Sequence, residues 1–336
     1  MIPTPSRRRL PIGFTLIELL VVIGIIVLLI GILFPVVARA IASGKRARTQ
    51  GDMGVIQTAL EEYKKDHSGQ YPAVDGTNTG FAVLARELVG IYGDGISGTG
   101  NPPPPDPKDP PAYVAGTTYK PGDCVGPPAG PFYVAMVESV GQTPTTPSPY
   151  WAQFTSTNGP RDGVDGPGIS VNGRKVGYIP SDRLRVRGCA ILDQQDRPIL
   201  YFRAHGNPNV NKPLNGGPSL IAQAVAGAKF DANDDIQFFA RPQDATPVTT
   251  LNTNPALKRI QAMLGDFDVA VGTGGTSFDG IIDGSESIAV NGPYLLWAAG
   301  PDGFYGINVS EPDLGADAAK IKKGIEKCDD IILATP

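Results

Sequence analysis

Three groups of residues in this 336-residue chain have types and spacings that could do chemistry. The first is Glu18, a lone carboxylate in an otherwise apolar run. It stands five positions after Gly13, with three arginines, Arg7, Arg8 and Arg9, upstream. A carboxylate placed in a hydrocarbon layer costs roughly 2.5–3.5 kcal/mol at a helix centre, and less near an end. Glu18 therefore calls for a cationic partner. The second group is acidic: Asp302 in the tract Gly300-Pro301-Asp302-Gly303, and Asp329-Asp330 near the C-terminus. Calcium takes six to eight oxygens from carboxylates and carbonyls on flexible loops, and these residues could supply the charge. An ordinary turn and a solvated acidic tail would use the same residues. The third group is aromatic: Tyr113, Tyr119, Tyr133 and Trp151 lie within forty residues. Flat aromatic faces bury sugar rings well, but the same rings could be the core of a small three-stranded unit.

Other chemistry has little support. Histidine occurs only at His67 and His205, and no nucleophile, base and orienting group share a suggestive spacing, so no enzyme is expected. Asp231, Asn233 and Asp235 have the alternation of a calcium loop, but Ile236 and Pro242 stand where such a loop needs Gly and Glu. Asp279 and Asp283 form a further acidic turn. The three cysteines, Cys124, Cys189 and Cys328, form no metal-binding pair. An odd number leaves at least one thiol free, and Cys124 could pair with Cys189 in an oxidising compartment. Net charge is −4 with no basic excess, so nucleic acid is not an expected partner.

The elements that must position these groups begin with an apolar run over residues 14–38, long enough to span a bilayer as a helix. Beyond it, Val55, Ile56, Ala59, Leu60 and Tyr63 recur at helical spacing, and the helix is expected to stop at His67-Ser68-Gly69. Gly44, Gly51 and Gly54 are expected to bend or loosen it. Residues 101–111, NPPPPDPKDPP, favour an extended polyproline spacer. Residues 190–192 and 199–202 flank a polar turn, a hairpin signal. Residues 231–239 read as a turn leading into a strand, 294–299 as a buried strand, and 316–327 as a helix. The fold class is α+β, with a long N-terminal helix packed on a small antiparallel sheet and a β-rich insertion.

The tract Gly13-Phe14-Thr15-Leu16-Ile17-Glu18, with its basic leader and apolar continuation, resembles the prepilin cleavage and methylation motif of type IV pilins and type II secretion pseudopilins. The resemblance covers the first tenth of the chain. It implies that a prepilin peptidase cuts after Gly13 and methylates the amino group of Phe14. It also implies that Glu18 pairs with the N-terminal amine of a neighbouring subunit, and that Pro35 stands where many pilins kink their helix. Tyr63, Asp66, Gly69, Tyr71 and Pro72 are similar to the tract that ends the long helix of major pseudopilins. The Asp302 loop and Asp329-Asp330-Ile331 resemble that family's calcium site, although a predicted helix separates them here. Residues 112–151 resemble a small carbohydrate-binding module.

These resemblances imply a leader over 1–13, a membrane or filament-core helix over 14–38, and its amphipathic continuation over 39–68. A globular domain then starts over 69–100, carries the proline-rich linker and inserted unit over 101–155, and continues over 156–336. The implied function is a structural subunit of a type II secretion pseudopilus or related filament, anchored in the inner membrane by one span with its bulk in the periplasm. The implied partners are further copies, other pilin-like subunits, the peptidase, the inner-membrane assembly platform and the lipid itself, with calcium as the one cofactor. The alternative is a surface protein displaying a module that binds polysaccharide. A signal peptide cut after Ala40 would instead release a soluble chain, but its apolar region would far exceed the usual 7–15 or so residues.

Overall fold

The computed structural model describes residues 16–74, 80–89, 112–120, 122–126, 132–135, 138–145, 148, 150–154, 169–171, 174–179, 183–187, 190–204, 213–214, 217–218, 220–223, 230–231, 235–239, 241, 255–265, 268–269, 276–277, 281–282, 292–310, 313–314 and 317–334. Contacts divide the chain into two units, Met1–Lys45 and Arg46–Pro336. Helix α1 (Leu16–Asp66) is followed by α2 (Gly80–Leu88) and five short strands: β1 (Thr118–Tyr119), β2 (Cys124–Val125), β3 (Phe132–Ala135), β4 (Ser139–Val140) and β5 (Trp151–Phe154). The hairpins β6 (Ile169–Val171) with β7 (Arg174–Val176) and β8 (Arg185–Arg187) with β9 (Ala190–Leu192) precede β10 (Leu200–Arg203). Then come β11 (Pro213–Leu214), β12 (Gly217–Pro218), β13 (Leu220–Gln223), β14 (Phe230–Asp231), a 3-10 turn at Ile236–Phe239 and α3 (Pro255–Leu264). The chain continues through β15 (Asp268–Val269), β16 (Thr276–Ser277), β17 (Ile281–Ile282), β18 (Tyr294–Ala298), α4 (Ala318–Lys327) and β19 (Ile331–Ala334).

In the first unit α1 is apolar on every side. Nineteen large apolar side chains between Leu16 and Ile41 are exposed, which leaves no polar face that could meet water. The helix runs unbroken through Pro35, and on through Gly44, Gly51 and Gly54, so the expected loosening at the glycines is absent. A Cβ at any of these three glycines would meet nothing within 4 Å, so none is required by close packing.

In the second unit α1 becomes one-sided. Thr49, Met53, Ile56, Ala59, Leu60 and Tyr63 are buried, a spacing of three and four that puts them on one helix face. All but Thr49 pack with Tyr201 of β10, Tyr294, Leu296 and Ala298 of β18, and Ile331 of β19. The sheet has the order β10-β18-β19, and both pairings are antiparallel. Strand side chains alternate between faces. Accordingly Leu200, Phe202, Leu295 and Trp297 enter a second core on the other face, with the 3-10 turn and α3. A sheet covered on both faces explains why β18 is buried along its whole length rather than alternately. Among the described strands every pairing is antiparallel except β13 with β17.

The end of α1 is capped as expected. Ser68 and Gly69 adopt φ of +53° and +80°, and the Gly69 amide donates back to the Lys64 carbonyl at 2.8 Å. The tract after it fastens the helix to the sheet. Asp66 accepts from the Tyr178 hydroxyl at 3.0 Å, Tyr71 donates to Glu61 at 2.6 Å, and the Tyr201 hydroxyl donates to the Pro72 carbonyl at 3.1 Å. His67 stacks on Tyr63 at 3.7 Å between ring centroids.

Residues 190–203 do turn back on themselves. Asp193 and Ile199 donate backbone bonds to Arg197 and Ile191, both at 2.8 Å, and Leu192 bridges Pro198. The turn also grips α1, where Gln194 reaches the Asp52 carboxylate at 2.8 Å. The expected strand at 236–239 is instead the 3-10 turn. Asp235, fully buried, accepts from the amides of Phe81 and Tyr201 and so ties α2 to β10; the chain turns around that carboxylate.

Asp193 is buried and accepts from the amides of Gln195 and Arg197. Burial, only partly offset by those bonds and by Arg197 and Arg185, pushes its carboxyl up to about 6. Its folded value lies above the unfolded one, so the folded state holds the proton longer. Stability from this group is therefore present below about pH 4 and is lost as pH rises to about 6, by on the order of 2–3 kcal/mol. Asp193→Asn should remove that loss. Urea unfolding of both proteins between pH 4 and 7 reads it as a stability difference that grows with pH in favour of the variant, and a pH-independent difference would contradict it.

Candidate functional site

Three acidic residues far apart in sequence meet at one end of the β18–β19 pair. Ala298 faces Ile331 in that ladder, so the chain leaving β18 at Gly300 runs beside the chain entering β19 at Asp329 and Asp330. Gly300 makes the approach possible, since a Cβ there would lie 2.2 Å from the Asp329 carbonyl oxygen. The turn closes with the Gly303 amide donating to the Gly300 carbonyl at 3.0 Å. One carboxylate oxygen from each of Asp302, Asp329 and Asp330 then lies within 4.8 Å of the others. The predicted helix between them is present as α4, with Asp317 as its N-cap accepting from the Lys320 amide. It loops out of the ladder and returns to the same end, so its length does not separate the acidic residues in space.

The three carboxylates differ in environment. Asp302 is the exposed member; its Oδ1 accepts from the Phe304 amide at 2.8 Å, and its own amide donates to Asp329 at 3.1 Å. Its carboxyl is held above the ordinary carboxylate range by loss of water first, with the charge of Asp329 adding to it. Asp330 is buried, and its Oδ2 accepts from the Trp297 indole and the Gly306 amide, both at 2.6 Å. Its Oδ1 has no hydrogen-bond partner among the described residues. Burial pushes this carboxyl up to about 7 against those two bonds, helped by the charges of Asp302 and Asp329. A buried acceptor without a donor is costly. A cation beside it would remove the cost and the mutual repulsion together. Three carboxylates of this kind fit a hard, oxygen-seeking divalent ion. The calcium residues named from the sequence are thus brought together. The anchoring of Asp330 by Trp297 and Gly306 carried no sequence signal.

The aromatic residues have a different fate. Trp151 and Tyr119 are buried with Val125 and Ala135, and Tyr113 and Tyr133 are half-buried against them. The Trp151 indole donates to the Gln142 carbonyl at 2.7 Å and meets the Tyr119 ring edge-on at 5.2 Å. The rings of Trp151 and Tyr119 are therefore taken up by packing, as the core of a unit built on the sheet β2-β3-β5, and present no open platform for a sugar. The unit is tied down at its edge: Gly122 lies against Arg187 and Leu192, and Val134 enters the main core. Cys124 is disulfide-bonded and Cys328 is a free thiol, which burial pushes up to about 12.

Of the processing and assembly residues, Glu18 lies in the first turn of α1 and Pro35 within it. Gly13 and Phe14 lie outside the described residues, as do 101–111, Cys189, His205, Asn233, Asp279 and Asp283. α1 is long and apolar enough to cross a membrane, with a mean hydropathy of 3.3 over its best window. That fits a single-pass membrane protein. No family model, curated protein or solved structure matches the chain. What the structure establishes is a long apolar N-terminal helix followed by a small sheet-containing domain, an arrangement compatible with that of pilins.

Proposed function

We propose that the chain is a filament subunit, a structural component of a type II secretion pseudopilus or a related type IV pilus-like filament. The observation that carries this reading is the two-part character of α1. Its first part is apolar on all sides and its second part is a core element of a folded domain. A simple anchor needs only the first property. A subunit that is stored in a membrane and then packed helix against helix needs both. In this reading prepilin peptidase removes residues 1–13 and methylates Phe14, and the domain lies on the periplasmic side of the inner membrane until assembly.

The chemistry of Glu18 supports the same conclusion. Cutting after Gly13 creates an amine four residues from a carboxylate inside an apolar run. In a filament, the amine of one subunit and Glu18 of its neighbour neutralise each other in a medium where either alone is costly. That pairing sets axial register. Calcium belongs to the reading as a structural ion held by Asp302, Asp329 and Asp330, where it locks the end of the β18–β19 pair.

Two outcomes are expected. Expressed with a prepilin peptidase and an assembly platform, the wild-type chain should give filaments in sheared fractions under the electron microscope. Glu18→Ala should leave membrane insertion intact and reduce filaments to background; filaments at wild-type yield from that variant would contradict the reading. Calcium at 100 times its Kd should stabilise the detergent-solubilised chain by about 2.7 kcal/mol, read as a rise in Tm. Asp302→Asn combined with Asp329→Asn should abolish that rise.

A further inference from the structure

A cavity of about 670 Å³ opens beside the acidic cluster, between α4 and the segment that follows the Asp302 turn. Three lysines of α4 line it, Lys320, Lys323 and Lys327, at a spacing that puts them on one face of the helix. Three aspartates line it as well, Asp302, Asp313 and Asp329. Lys320 is committed to Asp313 at 2.8 Å, with Asp317 at 3.9 Å. Lys323 and Lys327 are exposed and have no ion-pair or hydrogen-bond partner among the described residues. The helix that carries them is held firmly. Ile321 is buried against Ile307, Val309 and Leu314, and Gly324 lets the helix come close, since a Cβ there would meet the Val309 side chain at 2.7 Å.

We propose that this cavity is a carboxylate-binding site that is switched on by calcium. The inference rests on the calcium reading above. As the cavity stands, three lysines and three aspartates cancel, and Asp302 and Asp329 repel an incoming anion from one wall while Lys323 and Lys327 attract it from the other. A divalent cation at Asp302, Asp329 and Asp330 cuts the negative charge of that wall from three to one without disturbing the second. With Asp330 counted, the cavity and cluster pass from a net charge of about −1 to about +1, and the lining offers a carboxylate two ammonium groups beside the ion. Two positive charges added nearby at low effective dielectric change anion affinity by about tenfold or more. The ligand class is a dicarboxylate, either a free small acid or a pair of acidic side chains on a protein partner.

The test uses the full chain in detergent, with its lysines tagged by ¹³C reductive methylation, which keeps their charge and gives each a resolvable NMR signal. Calcium binding is first measured by calorimetry on the same sample. Succinate and N-acetyl-Glu-Glu-amide are then titrated with and without calcium. The expected result is a saturable shift of the Lys323 and Lys327 signals, at least about tenfold tighter with calcium. It should be lost in Lys323→Gln combined with Lys327→Gln, which should still bind calcium because neither lysine is a ligand. Tighter binding of succinate assigns a free acid, and tighter binding of the peptide assigns a protein partner. If calcium binds and neither probe gives a saturable shift, or the shift is the same without calcium, the carboxylate site is overturned and the metal reading stands. If calcium does not bind, both fall.

Discussion

Everything in this molecule follows from one constraint: a helix that is apolar on all sides cannot remain in water. Full burial of one large aliphatic side chain stabilises by about 1.5–3 kcal/mol, so the nineteen exposed between Leu16 and Ile41 represent tens of kcal/mol in need of a non-aqueous environment. Exposed apolar surface of that extent marks a membrane or protein contact. Lipid and a bundle of like helices both satisfy it. Glu18 is a carboxylate inside that apolar run, and in the proposed filament its partner would be the amine of a neighbouring subunit.

The folded unit is organised so that the second part of α1 has somewhere to go. β18 divides its side chains between two cores, with Tyr294, Leu296 and Ala298 meeting α1, and Leu295 and Trp297 meeting α3 and the 3-10 turn. Trp297 then serves a second purpose, since its indole holds Asp330 in the acidic cluster. The sheet that seats the helix and the turn that would hold an ion are thus consecutive parts of one strand pair. Strain or loss of charge balance at the cluster would be felt in the register of β18 with β19.

Much of this was legible in the sequence because it rests on local pattern. The membrane-length run, the cap at Ser68 and Gly69, the turn about Asp193, the buried strand at 294–298 and α4 all follow from periodicity and turn chemistry, although the strands flanking that turn take other ladder partners, β8 and β18. Asp302, Asp329 and Asp330 were recognisable as a set, although only the ladder pairing of Ala298 with Ile331 explains how they meet. The rest depends on tertiary contacts that no local pattern encodes. Ile236–Phe239 has the composition of a strand and becomes a 3-10 turn because Asp235 is needed to cap Phe81 and Tyr201. Trp151 and Tyr119 have the composition of a sugar platform and face inward because their small unit has little else to build a core from. The lysine face of α4 is visible as spacing, but its position across from Asp302 and Asp329 is not.

The central claim is that α1 is the processed helix of a filament subunit, and the most direct measurement is the mass of the N-terminal peptide of the mature chain isolated from its native membrane. The account predicts a chain that begins at Phe14 and carries one methyl group on its amine. A chain beginning at Ile41 would mean that the apolar helix had been removed as a signal sequence, and would contradict the account.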